Sequence, residues 1–174
     1  MKIKRLILGS LETNCYILEN NNEILIIDPA DNYEEIIKNT DKKKIVGIII
    51  THHHFDHIGA LPNFKSKYNI YDYSNLEDDN KIGSFNFKRL ITKGHTDDSI
   101  SIYFEKEKVL FSGDFLFKHE IGRCDLGGNV EDMKKSIEYI KTFPKDITIY
   151  PGHDETTNLA YEVENNYYFN HTDW

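Results

Sequence analysis

The feature that most constrains this chain is a run of histidines at the end of an apolar segment. Residues 46–50 form a continuous apolar stretch, typical of a strand buried on both faces, and residues 51–57 follow at once as Thr-His-His-His-Phe-Asp-His. Side chains two apart at a strand end share a face, so His52 and His54 are predicted to bind one metal ion together. A polar surface loop or a tag fragment is the alternative, but a tag lies at a terminus and this run is internal.

Further ligand-type residues come from the same run and from three later segments. Asp56 and His57 turn away from the first pair and are predicted to reach a second ion nearby. His95, Asp114 and His153 each lie beside a glycine, and the last two follow apolar strands directly. Each is a weak signal alone, since a lone His or Asp at a turn is more often a cap or solvated. Together they supply imidazole and carboxylate groups, which are normal zinc ligands.

The remaining patterns predict strands in two batches, each followed by helices. We expect strands at residues 3–8, 15–18, 24–27, 46–50, 85–91, 100–104, 109–111 and 147–150, and helices at residues 33–38, 130–143 and 157–166. Asn129 is predicted to cap the second helix, and the polar runs 19–23, 41–44 and 77–81 are predicted to be loops. This order is compatible with two sheets packed face to face with helices outside, or with an open α/β sheet.

Length and composition indicate one domain, spanning residues 1–174, with a core that needs no disulfides. Cys15 and Cys124 are too few and too isolated for a disulfide framework or a cysteine-based zinc site, and two free thiols suit a reducing compartment. The net charge of −8 argues against a nucleic-acid partner. The basic N-terminus is predicted to be a strand rather than a signal peptide, and no apolar run is long enough to span a membrane. We expect a cytoplasmic protein.

These motifs resemble those of a known family. The His-x-His-x-Asp-His run, together with the segments 14–16, 28–29 and 122–126, resembles the metallo-β-lactamase superfamily, and within it the hydroxyacylglutathione hydrolase (glyoxalase II) branch. The resemblance covers nearly the whole chain. It implies an α/β fold, a four-layer αββα sandwich with two divalent metal ions at one edge, zinc first and iron or manganese as alternatives. It implies a first ion bound by His52, His54 and His95, a second bound by Asp56, His57 and His153, and Asp114 bridging both.

The resemblance also implies a reaction. A metal-bridging hydroxide, oriented by Asp56 as the catalytic residue, would attack the carbonyl of a small-molecule substrate, and the branch favours thioesters, with lactones second. A single-iron sulfur dioxygenase-type oxidoreductase uses part of the same ligand set and is the main rival, and a non-catalytic binding module is another. The sequence contains no Gly-x-Ser-x-Gly elbow, which agrees with a mechanism that needs no protein nucleophile. Neither the substrate nor the oligomeric state follows from these patterns.

Some positions depart from the family or allow two interpretations. Asp97 and Asp98 stand where the family often has Pro-Gly, which adds negative charge beside the site. The chain ends at residue 174, without the helical C-terminal domain that carries much of the glutathione contact in glyoxalase II. Arg123 is a candidate for orienting a substrate carboxylate, with a structural ion pair as the alternative. Asp28 is either a partner of a ligating histidine or an ordinary Asp-Pro turn. His53 is predicted to point away from its neighbours and to have no role.

Overall fold

The computed structural model describes residues 1–171 and 173–174. Within these residues, the first sheet is mixed and has five strands in the order β1-β2-β3-β4-β5. The first three strands are antiparallel neighbours, whereas β3–β4 and β4–β5 are parallel pairs. The strands are β1 (Lys2–Leu8), β2 (Thr13–Asn20), β3 (Glu23–Ile27), β4 (Lys44–Ile49) and β5 (Ile70–Tyr71).

The second sheet has six strands in the described part of the chain, in the order β11-β10-β9-β8-β7-β6. Its pairs are antiparallel except for β9 with β10, which run parallel. The strands are β6 (Asp79–Ile82), β7 (Phe85–Ile91), β8 (Ile100–Phe104), β9 (Val109–Gly113), β10 (Thr148–Pro151) and β11 (Thr157–Asn158).

Five helices accompany the sheets over the same residues. They are α1 (Tyr33–Lys38), α2 (Leu61–Lys65), α3 (Val130–Ile140), α4 (Leu159–Asn165) and α5 (Tyr167–Asn170). Of the helices in the part of the chain that the structure describes, none has the length and apolar character needed to cross a membrane.

Alternating side chains along the strands build the layers. In β3, Leu25 and Ile27 face the second sheet, whereas the neighbouring isoleucines face the other way and pack with Phe64 of α2. In β9, Phe111 faces the first sheet and Leu110 packs against α3. One apolar layer therefore lies between the sheets and two lie beneath the outer helices. This arrangement confirms the predicted four-layer αββα sandwich and excludes the open α/β sheet.

The predicted third helix is present but shorter than expected. Asn129 caps it as predicted, because its side chain accepts a hydrogen bond from the backbone N–H of Asp132 at 2.8 Å. Met133, Ile137 and Ile140 are buried along one face. The prediction of a helix to residue 143 was wrong at its end: α3 stops at Ile140 and turns follow, in keeping with the bias against helical backbone just before a proline.

Two other expectations of secondary structure were wrong. The polar run 77–81 was predicted to be a loop, but Asp79–Ile82 forms edge strand β6, where one face and one edge are exposed and charged side chains are tolerated. The helix predicted at residues 157–166 is preceded by a short strand, so that α4 begins at Leu159 with Asn158 as its N-cap. The backbone hydrogen bonds of Thr157 and Asn158 go to β10 instead.

The parallel strand pairs bring several chain segments to one edge of the sandwich. The segments after β3 and β4 leave the first sheet side by side, and Asp28 donates its backbone N–H to Ile49 at 2.9 Å. The segments after β9 and β10 do the same in the second sheet, where Gly152 donates to Gly113 at 2.9 Å. The sheets meet at this edge, since the backbone N–H of Ile100 donates to Thr51 at 2.9 Å.

The inter-sheet layer should dominate the stability of the fold. Ile49 is fully buried in this layer, whereas Ile91, also on a strand, is 43% exposed. We expect Ile49→Ala to lower the free energy of unfolding by about 2–5 kcal/mol through lost burial and a residual cavity. Ile91→Ala should cost less than about 1 kcal/mol. Urea unfolding of both variants measures this, and equal losses would contradict the assignment of the core.

Candidate metal centre

The segment after β4 carries four of the predicted site residues. Its backbone turns at His57, whose N–H donates to the carbonyl of His54 at 3.0 Å. This turn brings Asp56 and His57 to a different side from His54 while keeping all of them at the sandwich edge. His52 and His57 are fully buried, and the exposed Phe55 points to solvent.

The other three predicted residues come from the second sheet. His95 lies in the connection from β7 to β8, Asp114 directly follows β9, and His153 follows β10. Residue 152, directly before His153, must be glycine, because a Cβ atom at this position would lie 2.1 Å from Oδ1 of Asp114. The backbone can therefore bring His153 close to Asp114 only with glycine before it.

All seven predicted residues converge in space. Nε2 of His95 and Nε2 of His153 each lie 3.5 Å from Oδ2 of Asp114, so this carboxylate stands between the two sets of histidines. Three groups have ligand atoms that all lie within 4.8 Å of one another: His52, His54 and His95; His52, His57 and Asp114; and Asp56, His57 and His153. Each group offers a place for a divalent ion, and Asp114 belongs to the group that also contains His52 and His57. The individual ligand roles stay predictions.

Unpaired buried atoms test whether the residues fit metal ions. Nε2 of His52 is buried and has no hydrogen-bond partner among the described residues, and Nε2 of His57 and Oδ1 of Asp114, also buried, lie 3.2 Å apart without a well-aligned hydrogen bond. Burying such a group without a partner costs about 1–3 kcal/mol. Divalent metal ions held by imidazole nitrogen and carboxylate oxygen would satisfy these atoms. The residues therefore fit divalent ions at this edge.

The opposite ring nitrogens of three histidines are held by backbone carbonyls. A carbonyl oxygen only accepts, so the nitrogen facing it carries the proton and the other nitrogen is free for a metal ion. These bonds run from Nδ1 of His95 to Arg123 at 2.7 Å, from Nε2 of His54 to Leu126 at 2.9 Å, and from Nδ1 of His153 to Leu11 at 3.1 Å. No sequence signal identifies such carbonyls.

Asp28 holds a fourth histidine. It is buried, and its Oδ2 accepts hydrogen bonds from Nδ1 of His57 at 2.9 Å and from Oγ1 of Thr51 at 2.7 Å. Its Oδ1 accepts from the backbone N–H of Thr51 at 2.8 Å. Of the two interpretations that the sequence left open, these contacts support a partner of the candidate ligand His57.

The electrostatics of the centre favour the protonation states that metal ligands need at His52 and Asp114 and oppose that state at His57. Burial, reinforced by the charge of His57, holds the pKa of His52 well below its ordinary value. Burial alone would raise the pKa of Asp114, but His153 and His57 hold it well below its usual range. Burial likewise lowers the pKa of His57, yet Asp28 and Asp114 raise it to about 10.

The N-terminal hairpin fixes the segment that carries His153. Tyr16 donates its hydroxyl to the carbonyl of Pro151 at 2.6 Å, and the side-chain amide of Asn14 donates to the same carbonyl at 2.9 Å. The hydroxyl of Thr13 donates to Oδ2 of Asp56 at 2.8 Å. In the sequence, residues 14–16 stand out only as part of the family resemblance, and no pattern identifies Thr13.

Two further predicted residues have partners outside the centre. The guanidinium of Arg123 forms a two-point ion pair with Asp125, with both N–O distances 2.6 Å. This contact favours the structural ion pair, and contact with a substrate stays a prediction. His53 points away from the candidate ligands, as expected, and its Nδ1 lies 2.5 Å from Oδ2 of Asp98.

Comparison with known proteins agrees with this geometry. Residues 8–85 and 72–153 match the family model of the metallo-beta-lactamase superfamily. A probable metallo-hydrolase of Bacillus subtilis, YqgX, is 30% identical over 98% of this chain and 98% of its own length. A hydroxyacylglutathione hydrolase of Francisella philomiragia is 35% identical over 88% of this chain and 68% of its own length.

Solved structures give the same fold. The BLEG-1 B3 metallo-beta-lactamase superposes with a TM-score of 0.90 at 31% identity, covering 97% of this chain and 99% of its own. TTHA1623 in a di-iron-bound form gives 0.85 at 26% identity, covering 95% and 99%. ETHE1 from Myxococcus xanthus gives 0.88 at 26% identity, covering 96% and 84%.

Asp114 should matter more for metal affinity than Asp28. Only Asp114 approaches both histidine sets, whereas Asp28 acts through His57. We expect Asp28→Ala to weaken zinc binding about 10–100-fold, as is typical for partners of metal ligands, and Asp114→Ala to weaken it more. Competition with a chromophoric chelator measures both, and Asp41→Ala, an exposed aspartate before β4, serves as the control. Equal losses in the two test variants would contradict the bridging position of Asp114.

Proposed function

The chain belongs to the metallo-β-lactamase superfamily, and from this premise we propose that it is a hydrolase that uses two divalent ions, zinc first, to cleave a small-molecule thioester. The observation that carries the proposal is the position of Asp114 between two histidine sets, because a shared carboxylate suits a pair of ions. The hydroxyacylglutathione hydrolase of Francisella philomiragia supports the thioester assignment.

The chemistry divides between the ions and the chain. When bound, paired ions of this kind supply Lewis acidity toward a carbonyl and lower the pKa of a water to about 7. The chain fixes the geometry: Oδ2 of Asp56 lies 3.2 Å from Nε2 of His153 and accepts from Thr13, which leaves Oδ1 to accept a hydrogen of the attacking water. Water adds to the carbonyl carbon, the carbon–sulfur bond breaks, and the thiol leaves with a proton. Asp56 is thus the proposed catalytic residue.

The surroundings of the centre support a thioester with few charges. A glutathione thioester carries two carboxylates and an ammonium group, which need charged partners. Three basic side chains that lie close in sequence to candidate ligands have partners of their own: Lys118 with Glu155 at 3.1 Å, Arg123 with Asp125 at 2.6 Å, and Lys93 over the ring of Tyr73 at 5.0 Å.

Exposed apolar side chains flank the candidate ligands. Leu11 and Leu126 are about half exposed, and their carbonyls hold His153 and His54 from opposite sides of the centre. Phe55, between His54 and Asp56, is 73% exposed. Apolar surface at the entrance favours an apolar acyl or thiol group over a highly charged one.

Two other activities stay in view. The di-iron form of TTHA1623, at 26% identity, supports iron as an alternative metal. The single-iron sulfur dioxygenase-type oxidoreductase is the rival that the resemblance implies. BLEG-1, a B3 metallo-beta-lactamase at 31% identity, supports cyclic substrates such as lactones, which need the same attack on a carbonyl.

Metal content and oxygen uptake separate these functions. We expect about two equivalents of zinc, iron or manganese per chain, because seven candidate ligands exceed the four that one tetrahedral site uses. The metal-loaded protein should hydrolyse small acyl thioesters without consuming oxygen, and a chelator should abolish the activity. One equivalent of iron that stays at one after metal loading, together with oxygen consumption, would contradict the proposal in favour of an oxidoreductase.

Glutathione should be recognised weakly. We expect S-lactoylglutathione to be preferred over a small acyl thioester by less than tenfold in kcat/KM, a difference of about 1.4 kcal/mol. Steady-state kinetics with the two substrates under identical metal loading measure this ratio. A preference of a hundredfold or more would mean that the charged groups of glutathione have a binding site in this protein.

A further inference from the structure

The two loops that carry the histidines of the first ion set meet a second time, outside the metal centre. His53 lies between His52 and His54, and Asp98 lies three residues after His95. Nδ1 of His53 donates a hydrogen bond to Oδ2 of Asp98 at 2.5 Å across 45 residues of sequence. The two side chains are partly exposed, so the contact is accessible to substitution without opening the core.

Asp98 is itself fixed within its loop. Its Oδ1 accepts a hydrogen bond from the hydroxyl of Thr96 at 2.7 Å, and Thr96 is the residue directly after His95. One carboxylate therefore joins the side chain of Thr96, next to His95, to the side chain of His53, between His52 and His54. We call this contact the His53–Asp98 link.

A second carboxylate, that of Asp72, lies at the other ring nitrogen of His53. Oδ2 of Asp72 lies 3.5 Å from Nε2 of His53, and Oδ1 of Asp72 accepts from the backbone N–H of Ser74 at 2.8 Å. The two aspartates face opposite ring nitrogens, so they cannot bind one cation together with His53. This arrangement suits a link between loops and not a further metal site.

The link stands where the two loops have no backbone ladder. The last backbone bond between the sheets at this point joins Ile100 to Thr51 at 2.9 Å. His53 and Asp98 face each other two residues beyond this bond, one in each loop. Nδ1 of His54 and Nε2 of His95, from the two loops, lie 2.8 Å apart, and an ion bound by both must hold them at a defined separation.

We propose that Asp98, acting through His53, is a positioning residue for the first ion set, His52, His54 and His95. The link holds the two loops in register so that the ligand nitrogens need not be ordered when the ion binds, which raises affinity by lowering the cost of binding. The inference rests on the proposed two-ion centre and is independent of the substrate.

Neighbouring aspartates provide a matched test. Asp97 is exposed, and its side chain has no hydrogen-bond or ion-pair partner among the described residues, whereas Asp98 forms the link. Asp98→Ala and Asp97→Ala therefore remove the same charge one residue apart. The readout is stepwise release of Zn²⁺ from the metal-loaded protein to a chromophoric chelator, together with the melting temperature of the loaded protein. The same release is followed in a His153→Ala background, where only the three-histidine set remains complete.

We expect Asp98→Ala to weaken one of the two zinc-binding steps by about tenfold, the lower end for partners of metal ligands, and to leave the other within twofold. The same step should weaken in the His153→Ala background and in His53→Ala, and the Asp98→Ala/His53→Ala double variant should lose no more than either single variant. Asp97→Ala should change neither step.

Three results would overturn the inference. Equal losses in Asp97→Ala and Asp98→Ala would assign the effect to general charge. Equal weakening of both zinc steps with a lowered melting temperature would assign it to fold stability. Additive losses in the double variant would mean that Asp98 does not act through His53. A wild-type protein that binds fewer than two zinc ions contradicts the proposed two-ion centre itself, separately from these comparisons.

Discussion

The candidate metal centre depends on two parallel strand pairs, one in each sheet, that end at the same edge of the sandwich. In β3–β4 and β9–β10 the chain leaves both strands in the same direction, so the residues that follow them lie side by side. Asp28 and His52 follow one pair, and Asp114 and His153 follow the other. Because the inter-sheet core fixes how the sheets face each other, it also fixes the separation of the two halves of the centre.

The centre has an energetic cost that the rest of the fold must carry. Three buried polar atoms lack well-aligned hydrogen-bond partners among the described residues, and carboxylates lie beside imidazoles in a poorly solvated space. The surrounding hydrogen bonds limit this cost by fixing four of the imidazole rings. In His54, His95 and His153 a backbone carbonyl, and in His57 the carboxylate of Asp28, accepts from the nitrogen that faces away from the centre. The unsatisfied nitrogens are thereby all directed to the place where cations fit.

Pairing of side chains within the chain also determines the surface around the candidate metal centre. Basic side chains close in sequence to candidate ligands are paired within the chain, whereas apolar side chains next to the candidate ligands remain exposed. The aspartate at residue 98 is also occupied, since His53 and Thr96 both donate to it. Its negative charge therefore stabilises the contact between the two loops and also contributes to the electrostatic field that a substrate meets.

The sequence by itself determined that His52 and His54 share a face after a buried strand and that Asn129 caps α3, because each depends on spacing along one strand or helix, but its strand order was compatible both with two packed sheets and with an open sheet. Tertiary structure decided what joins distant segments. The partners Thr13 and Asp28 and the His53–Asp98 link all rest on contacts between residues far apart in the chain. Local polarity and periodicity report which face of an element is buried. They carry no information on which polar group that face meets once the two sheets have packed.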